Sequence, residues 1–187
     1  MDKIRVIIKC VTNSLLVCYP FIIFLSLQYQ CINLAILCLL VFFTLRLLVL
    51  PNIFAYMRWL AKITACFGLL LALISWLFAK YQLLLYYPVA VNLVFFIVFC
   101  HSLTQPETII EKFAKIRHPD LSLKAIQYTR KVTLCWCIFF ILNGSIALLT
   151  CLLNNISWWT LYNGLISYIL IAILMGGEWL IRQKVQD

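Results

Sequence analysis

The sequence predicts an all-α fold: a polytopic membrane helical bundle of six transmembrane helices arranged as three hairpins, plus one interfacial amphipathic helix. Three observations lead there. Only 11% of the residues are charged and 65% are hydrophobic, with a mean hydropathy of +1.04, whereas a soluble domain carries roughly 25% charge. Apolar stretches recur along the chain, each near the ~20 residues that a bilayer core about 30 Å thick asks of a helix. The intervals between them alternate between basic and almost uncharged. A single transmembrane domain is therefore expected over residues 1–187, with spans at 6–27, 31–49, 62–79, 83–103, 132–153 and 158–180.

The first element opens "MDKIRVIIKC", basic then apolar in the manner of a secretory signal. No small-x-small cleavage site follows, and bulky Tyr29 and Gln30 precede Cys31, so the segment is read as the first span. Orientation follows from the loops. Lys3, Arg5 and Lys9, then Arg46, Arg58 and Lys62, then Lys112, Lys115, Arg117, Lys124, Arg130 and Lys131, and finally Arg182 and Lys184 fall on one side; Lys80 is alone on the other. Under the positive-inside rule both termini are expected in the cytoplasm. The short outer turns "QYQ", "KYQ" and "NNIS" then close three hairpins. Trp76, Tyr81, Tyr86, Tyr87, Trp158 and Trp159 fall near outer ends, and Trp59 and Trp179 near inner ones, as an interfacial aromatic belt would.

Nine cysteines are scattered through the apolar segments, which is not a disulfide framework. Cys135 and Cys137 stand about 200° apart on a helix and cannot chelate one ion. Neither a metal nor a cofactor is expected.

Between spans 4 and 5 lies the one long polar interval, 104–131. Thr104 with Glu107 three residues on reads as a capping box, with Pro106 in the tolerant first turn. Ile109, Ile110, Phe113 and Ile116 make one apolar stripe, so an amphipathic helix of about 13 residues is expected in the inner headgroup region. Lys112, Lys115 and Arg117 on its other face are candidates for docking a partner or an anionic headgroup. His118, Pro119 and Asp120 break it, and a second helix restarts after Asp120 or Ser122 and runs into span 5.

Polar residues inside spans are costly and invite a functional reading. Asn92, Asn143 and Asn163 are the intramembrane candidates, as interhelical hydrogen bonds or as the lining of a polar site. Gly144 and Gly164 follow two of them and would admit a neighbouring helix. A second set, Arg46, His101, Arg130, Lys131 and Glu178, is expected at one depth near the inner ends and forms a candidate binding rim. Pro20 and Pro88 should kink spans 1 and 4. No nucleophile motif, metal spacing or glycine-rich phosphate loop accompanies the histidines, so no catalytic residue is assigned.

From "LYYPVAVNLVFFIVFCHSL" through "PETIIEKFAKIRHPDLSLKAIQYTRKVTLCWCIFFILNGSIALLT" to "WWTLYNGLISYILIAILMGGEWLIR" the second half closely resembles an uncharacterised family of bacterial inner-membrane proteins. Its members are often encoded beside acyl-carrier-protein and ketosynthase enzymes of fatty-acid or aryl-polyene type. The order is more distantly similar to the intracellular septation protein A family, through Trp136, Phe139, Phe140, Ile141, Leu142 and Gly144, with Trp158 and Trp159 in the last turn. The resemblance implies a multi-pass protein of the bacterial inner membrane with a link to cell-envelope or lipid-like acyl biosynthesis.

Together these readings point to a non-catalytic organising or docking role at a cationic cytoplasmic face. The expected partners are membrane lipids with anionic headgroups and an acidic acyl carrier protein or another envelope protein; nucleic acid is not among them. A small lipid or polar-solute carrier lined by the three asparagines is the alternative. A transferase using His101 or His118 with Glu178 is a third.

Overall fold

A bilayer offers no water to satisfy backbone groups, so a chain of this composition must pair them within its own segments as helix. The computed structural model describes residues 17–48, 55–117 and 119–186, and no strand occurs among the described residues. In order come α1 (Val17–Gln28), α2 (Ile32–Leu48), α3 (Ala55–Leu77), a 3-10 segment (Tyr81–Tyr86) and α4 (Tyr87–Leu103). Then follow α5 (Ile109–Arg117), α6 (Leu123–Leu152), α7 (Ile156–Leu161), a π-helical segment (Tyr162–Ile166) and α8 (Ser167–Gln186).

Among the described residues, four stretches are long and apolar enough to cross a membrane: Arg58–Leu77, Tyr81–Leu103, Leu123–Leu152 and Ile156–Gln183. Large apolar side chains such as Leu70, Ile97, Leu142 and Ile173 face outward on them, a surface that suits lipid rather than water. Helix length supports four spans where the sequence led us to expect six. The described part of α2 has 17 residues and ends at Leu48, beside residues 49–54, which lie outside the described residues. Residues 6–16 of the first expected span lie outside the described residues, as do Lys3, Arg5, Lys9 and His118.

Three tight turns close the helical hairpins, and all three use the same device. Gln30, Ala79 and Asn154 adopt positive φ of 54°, 50° and 52°, the left-handed conformation in which a chain can leave a helix and reverse. Behind the first two, Cys31 N–H reaches Ser26 O at 2.9 Å and Lys80 N–H reaches Ser75 O at 3.1 Å, so carbonyls of the last turn are satisfied. The hairpin ends legible in "QYQ", "KYQ" and "NNIS" are thus present, without a glycine at any of them.

α4 packs most extensively on α6, and α2 on α3. Small residues set both approaches. Asn92 Cβ lies 3.0 Å from where a side chain on Gly144 would begin, and the Phe43 ring fills the space over Gly68. The buried side chains form two clusters. One gathers Tyr19, Phe43, Ala72, Leu84, Tyr87 and Trp159 toward the turns. The other gathers Leu60, Val98, Phe99, Ile109, Cys137 and Phe140 toward α5, where Phe99 and Phe140 meet edge-on at 5.2 Å.

Pro88 lies inside the stretch Tyr81–Leu103, as expected, at the very start of α4, where a missing N–H is tolerated. The turn before it is wound as 3-10, and side chains from other helices take up the carbonyls this leaves. Tyr19 Oη donates to Leu84 O at 2.7 Å. Trp159 Nε1 donates to Leu85 O at 3.0 Å, and Cys151 Sγ reaches the same oxygen at 3.2 Å. Trp159 is 0% exposed and Tyr87 is 3% exposed. These two rings are core elements rather than members of an interfacial belt, whereas Trp59, Trp76, Tyr81, Trp158 and Trp179 face outward.

The polar interval differs from expectation in its start. α5 begins at Ile109 and has 9 residues, and its cap is Thr108, whose Oγ1 accepts from Glu111 N–H at 3.3 Å. "TIIE" is the same capping-box pattern as "TQPE", four residues later. Pro106 falls in the turn between α4 and α5, where Thr104 N–H bonds back to His101 O at 3.1 Å. Ser122 caps α6 by accepting from Ala125 N–H at 3.3 Å, and α6 then runs unbroken for 30 residues.

Candidate functional site: an amide-lined cavity inside the bundle

The three intramembrane asparagines converge. Asn143, on the buried face of α6, is the centre: its Nδ2 donates to Asn92 Oδ1 on α4 and to Ser167 Oγ at the start of α8, both at 3.0 Å. Its Oδ1 accepts from Tyr162 Oη at 2.8 Å. Asn92 Nδ2 donates in turn to Pro88 O at 2.9 Å. A carbonyl can only accept, so Pro88 fixes which way Asn92 faces, and Asn92 fixes Asn143. Asn163 lies one turn away, its Nδ2 donating to Thr150 Oγ1 at 3.1 Å and to Trp159 O at 2.9 Å. Both of its amide protons are used.

The π-helical segment makes this arrangement possible. Residues five apart in an α-helix project about 140° from one another, so Tyr162 and Ser167 could not both reach Asn143 from a regular helix. The wider turn over Tyr162–Ile166 brings them onto one face, and such single-turn insertions favour functional positions. Close approach is the other requirement: Gly144 lets α4 sit against α6 at Asn92, and Gly164 faces Pro20 and Phe21 of α1.

Above these amides is a cavity of about 290 Å³. Asn92, Asn143, Asn163 and Ser167 supply its polar groups, and Tyr19, Tyr87, Phe95, Trp136, Phe140 and Tyr168 give it aromatic walls. Among the described residues, no acidic or basic side chain lines it. The Tyr87 hydroxyl is buried without a hydrogen-bond partner among the described residues, an arrangement that costs free energy unless something else supplies an acceptor. Arg46, half-buried near the end of α2, is close enough to Tyr87 for their charges to interact, yet it does not line the cavity.

The residues of the expected rim are spread over α2, α4, α6 and α8. Arg130 donates through Nη2 to Leu103 O, closing the C-terminal end of α4. His101 is exposed, with its Nε2 3.4 Å from Gln105 Nε2. Glu178 pairs within its own helix with Arg182, at 3.8 Å, and its backbone oxygen accepts from Tyr128 Oη at 3.1 Å. Lys131 is exposed. No hydrogen bond or ion pair among the described residues joins His101 to Glu178, and none holds a cluster of metal-ligating side chains.

Of the docking candidates, Lys115 is engaged within the protein. Its Nζ lies 2.6 Å from Glu107 Oε1 and 3.0 Å from Glu111 Oε1. The Glu111 side chain is only 4% exposed, so this lysine compensates a buried carboxylate on its own helix. The hydrogen bond from Lys115 holds the Glu107 carboxyl below its usual range, and the same bond, with that to Glu111, raises Lys115. Lys112 is exposed; the Arg117 side chain lies outside the described residues.

Tyr87, Tyr162, Ser167 and Tyr168 belong to the site but carried no sequence signal that placed them there. Tyr87 reads as a belt residue from its position in "LYYP". The other three depend on the π-helical turn, which the composition of "YNGLI" does not announce. Comparison with family models, with curated proteins and with solved structures returns no match to this chain.

Proposed function

We propose that the chain is a multi-pass membrane protein whose working site is the cavity inside the bundle, where it binds and carries a small lipid-like molecule. The observation that carries this reading is the meeting of three amides and an unpartnered, buried tyrosine hydroxyl around one cavity of about 290 Å³. That volume is at the low end for small-molecule sites, roughly 300–1,000 Å³, and such sites share its build of apolar walls with a few placed polar groups. A diacyl lipid would exceed it; one chain or one ring would not.

In this reading the protein has six spans, with α1 and α2 as the first hairpin, lies in a bacterial inner membrane and keeps both termini in the cytoplasm. Support for the orientation is the basic bias of the loops. Support for the membrane and for a link to envelope or lipid-like acyl biosynthesis is the resemblance through "WCIFFILNG" and the segments around it.

The test is what the protein retains when purified in mild detergent from its own membrane. Mass spectrometry of the extract should find one apolar species at near-equal stoichiometry, absent when Val91→Trp fills the cavity and present when Lys112→Ala alters the linker. Identical extracts from wild type and Val91→Trp would overturn the reading.

A docking platform is the second reading, favoured by exposed Lys124 and Lys131 beside α5. An acidic carrier protein would be held there electrostatically, over a range of about 8 Å at physiological salt. Retention of acyl carrier protein on the immobilised full chain should then fall as salt rises and fall again on Lys124→Ala with Lys131→Ala. Retention indifferent to both changes would remove this role.

A further inference from the structure

The cavity's hydrogen-bonding groups are not all used, and what remains specifies a ligand chemistry. Asn163 turns its amide nitrogen to the Trp159 carbonyl and to Thr150; because a carbonyl can only accept, the orientation is fixed. Its Oδ1 has no partner among the described residues. Ser167 spends an acceptor on Asn143 and keeps its own proton to donate. Tyr87 keeps a donor, its buried hydroxyl having no hydrogen-bond partner among the described residues. The site thus offers donors from α4 and α8 and an acceptor from the π-helical turn.

Charge narrows the choice. An ionised head buried without a counter-charge is strongly disfavoured, and among the described residues no acidic or basic side chain lines the walls. A phosphate and an ammonium are therefore poor fits, and an ionised carboxylate would have only Arg46, which does not line the cavity, as its counter-charge. A pure hydrocarbon would fit the walls but leave Tyr87 and Asn163 unsatisfied. A hydroxyl both donates and accepts and answers donors and an acceptor without carrying charge, whereas a fatty acid would have to hold its proton to do the same. Resting on the binding reading above, we infer that the cavity takes a single-chain lipid alcohol, its hydroxyl set among Tyr87, Asn163 and Ser167 and its chain along Phe95, Trp136 and Phe140.

The experiment uses the purified full chain in lipid nanodiscs with four probes of equal chain length: dodecanol, dodecane, dodecanoate at a pH where it is ionised, and dodecyltrimethylammonium. Binding is read by competition with a brominated dodecanol that quenches Trp136, the signal being the part lost in Trp136→Phe. Dodecanol should compete best, with dodecane and both ions weaker by roughly tenfold, the order of one hydrogen bond in a dry site. Tyr87→Phe should weaken dodecanol about fivefold to tenfold while leaving dodecane unchanged. Its unfolding temperature without ligand should equal or exceed that of wild type, because the variant removes a buried group with no partner. That readout separates lost recognition from lost folding.

Equal competition by dodecane and dodecanol, or tightest binding by dodecanoate, would overturn the alcohol assignment while leaving the cavity as a binding site. Quenching that is the same in wild type and Trp136→Phe, with no competition by any probe, would overturn the binding reading itself.

Discussion

Basic residues at the α5 end of the bundle and amides inside it are both polar groups in a mostly apolar chain, and they end in opposite arrangements. Lys115 and Glu178 are satisfied close to home, by Glu107 and Glu111 and by Arg182 one turn away, while Arg130 reaches across to the exposed end of α4. Asn92, Asn143 and Asn163 come from separate helices and gather around one cavity. The difference follows from solvation. A long charged side chain near a membrane surface can reach water or a neighbour in several ways, so its position says little about where it acts. An amide deep in the bundle has no such freedom and must be met by a partner on another helix. Charge therefore reports orientation, and the buried amides report the site.

The sharpest way to break this contrast is to remove the central amide. Asn143→Leu leaves Asn92, Ser167 and Tyr162 without their shared partner and should cost about 2 kcal/mol, read by thermal unfolding in detergent. Lys124→Ala, at an exposed position, should stay within about 0.5 kcal/mol, as exposed substitutions do. Comparable losses from the two variants would erase the distinction. Next in size is Gly144→Val, which drives a side chain into Asn92 and should cost about 1–3 kcal/mol by overpacking. Gly177→Ala, where nothing lies within 4 Å, serves as its control and should not destabilise.

On the other side of the comparison the test is pH. Lys115 holds the Glu107 carboxyl below its usual range. A carboxylate depressed in the folded state contributes stability that is full above its ordinary value near 4.5 and is lost as pH falls from there through the depressed value. Lys115 is raised, so its share is full below its ordinary 10.5 and fades as pH climbs through the raised value. Hydrogen exchange over Ile109–Arg117 should accelerate, beyond its intrinsic pH trend, at both extremes. In Lys115→Ala both inflections should disappear, while protection around Asn143 is unmoved. The smallest effect is expected at the turns: Ala79→Gly relieves a left-handed non-glycine residue and should stabilise by about 1 kcal/mol.

Much of the architecture was legible in the chain. Apolar stretches long enough to span and turn signals at "QYQ", "KYQ" and "NNIS" gave the helices and their hairpin ends, because hydropathy and chain reversal are local properties. The start of α5 was misplaced because "TQPE" and "TIIE" carry the same capping pattern, and only packing of Ile109 and Glu111 against the bundle selects the second. Tyr87 and Trp159 were misread for a related reason. A ring near a helix end looks interfacial until Pro88 and the 3-10 turn leave carbonyls inside that only another helix can satisfy. The three asparagines were visible as costly residues, yet their meeting was not. It depends on the π-helical turn at Tyr162–Ile166 and on the contact that Gly144 permits, neither of which is written in periodicity.

The most direct measurement is where a ligand-like probe attaches in the intact protein. A dodecanol bearing a photoactivatable diazirine on its chain, applied to membranes containing the full chain, can be mapped by peptide sequencing after illumination. Labelling should concentrate on Val91–Phe95, Trp136–Phe140 and Asn163–Ile171, compete with unmodified dodecanol, and vanish in Val91→Trp. Label spread evenly over the outward faces of α3, α6 and α8, or concentrated on 109–131, would contradict the assignment of the site to the cavity inside the bundle.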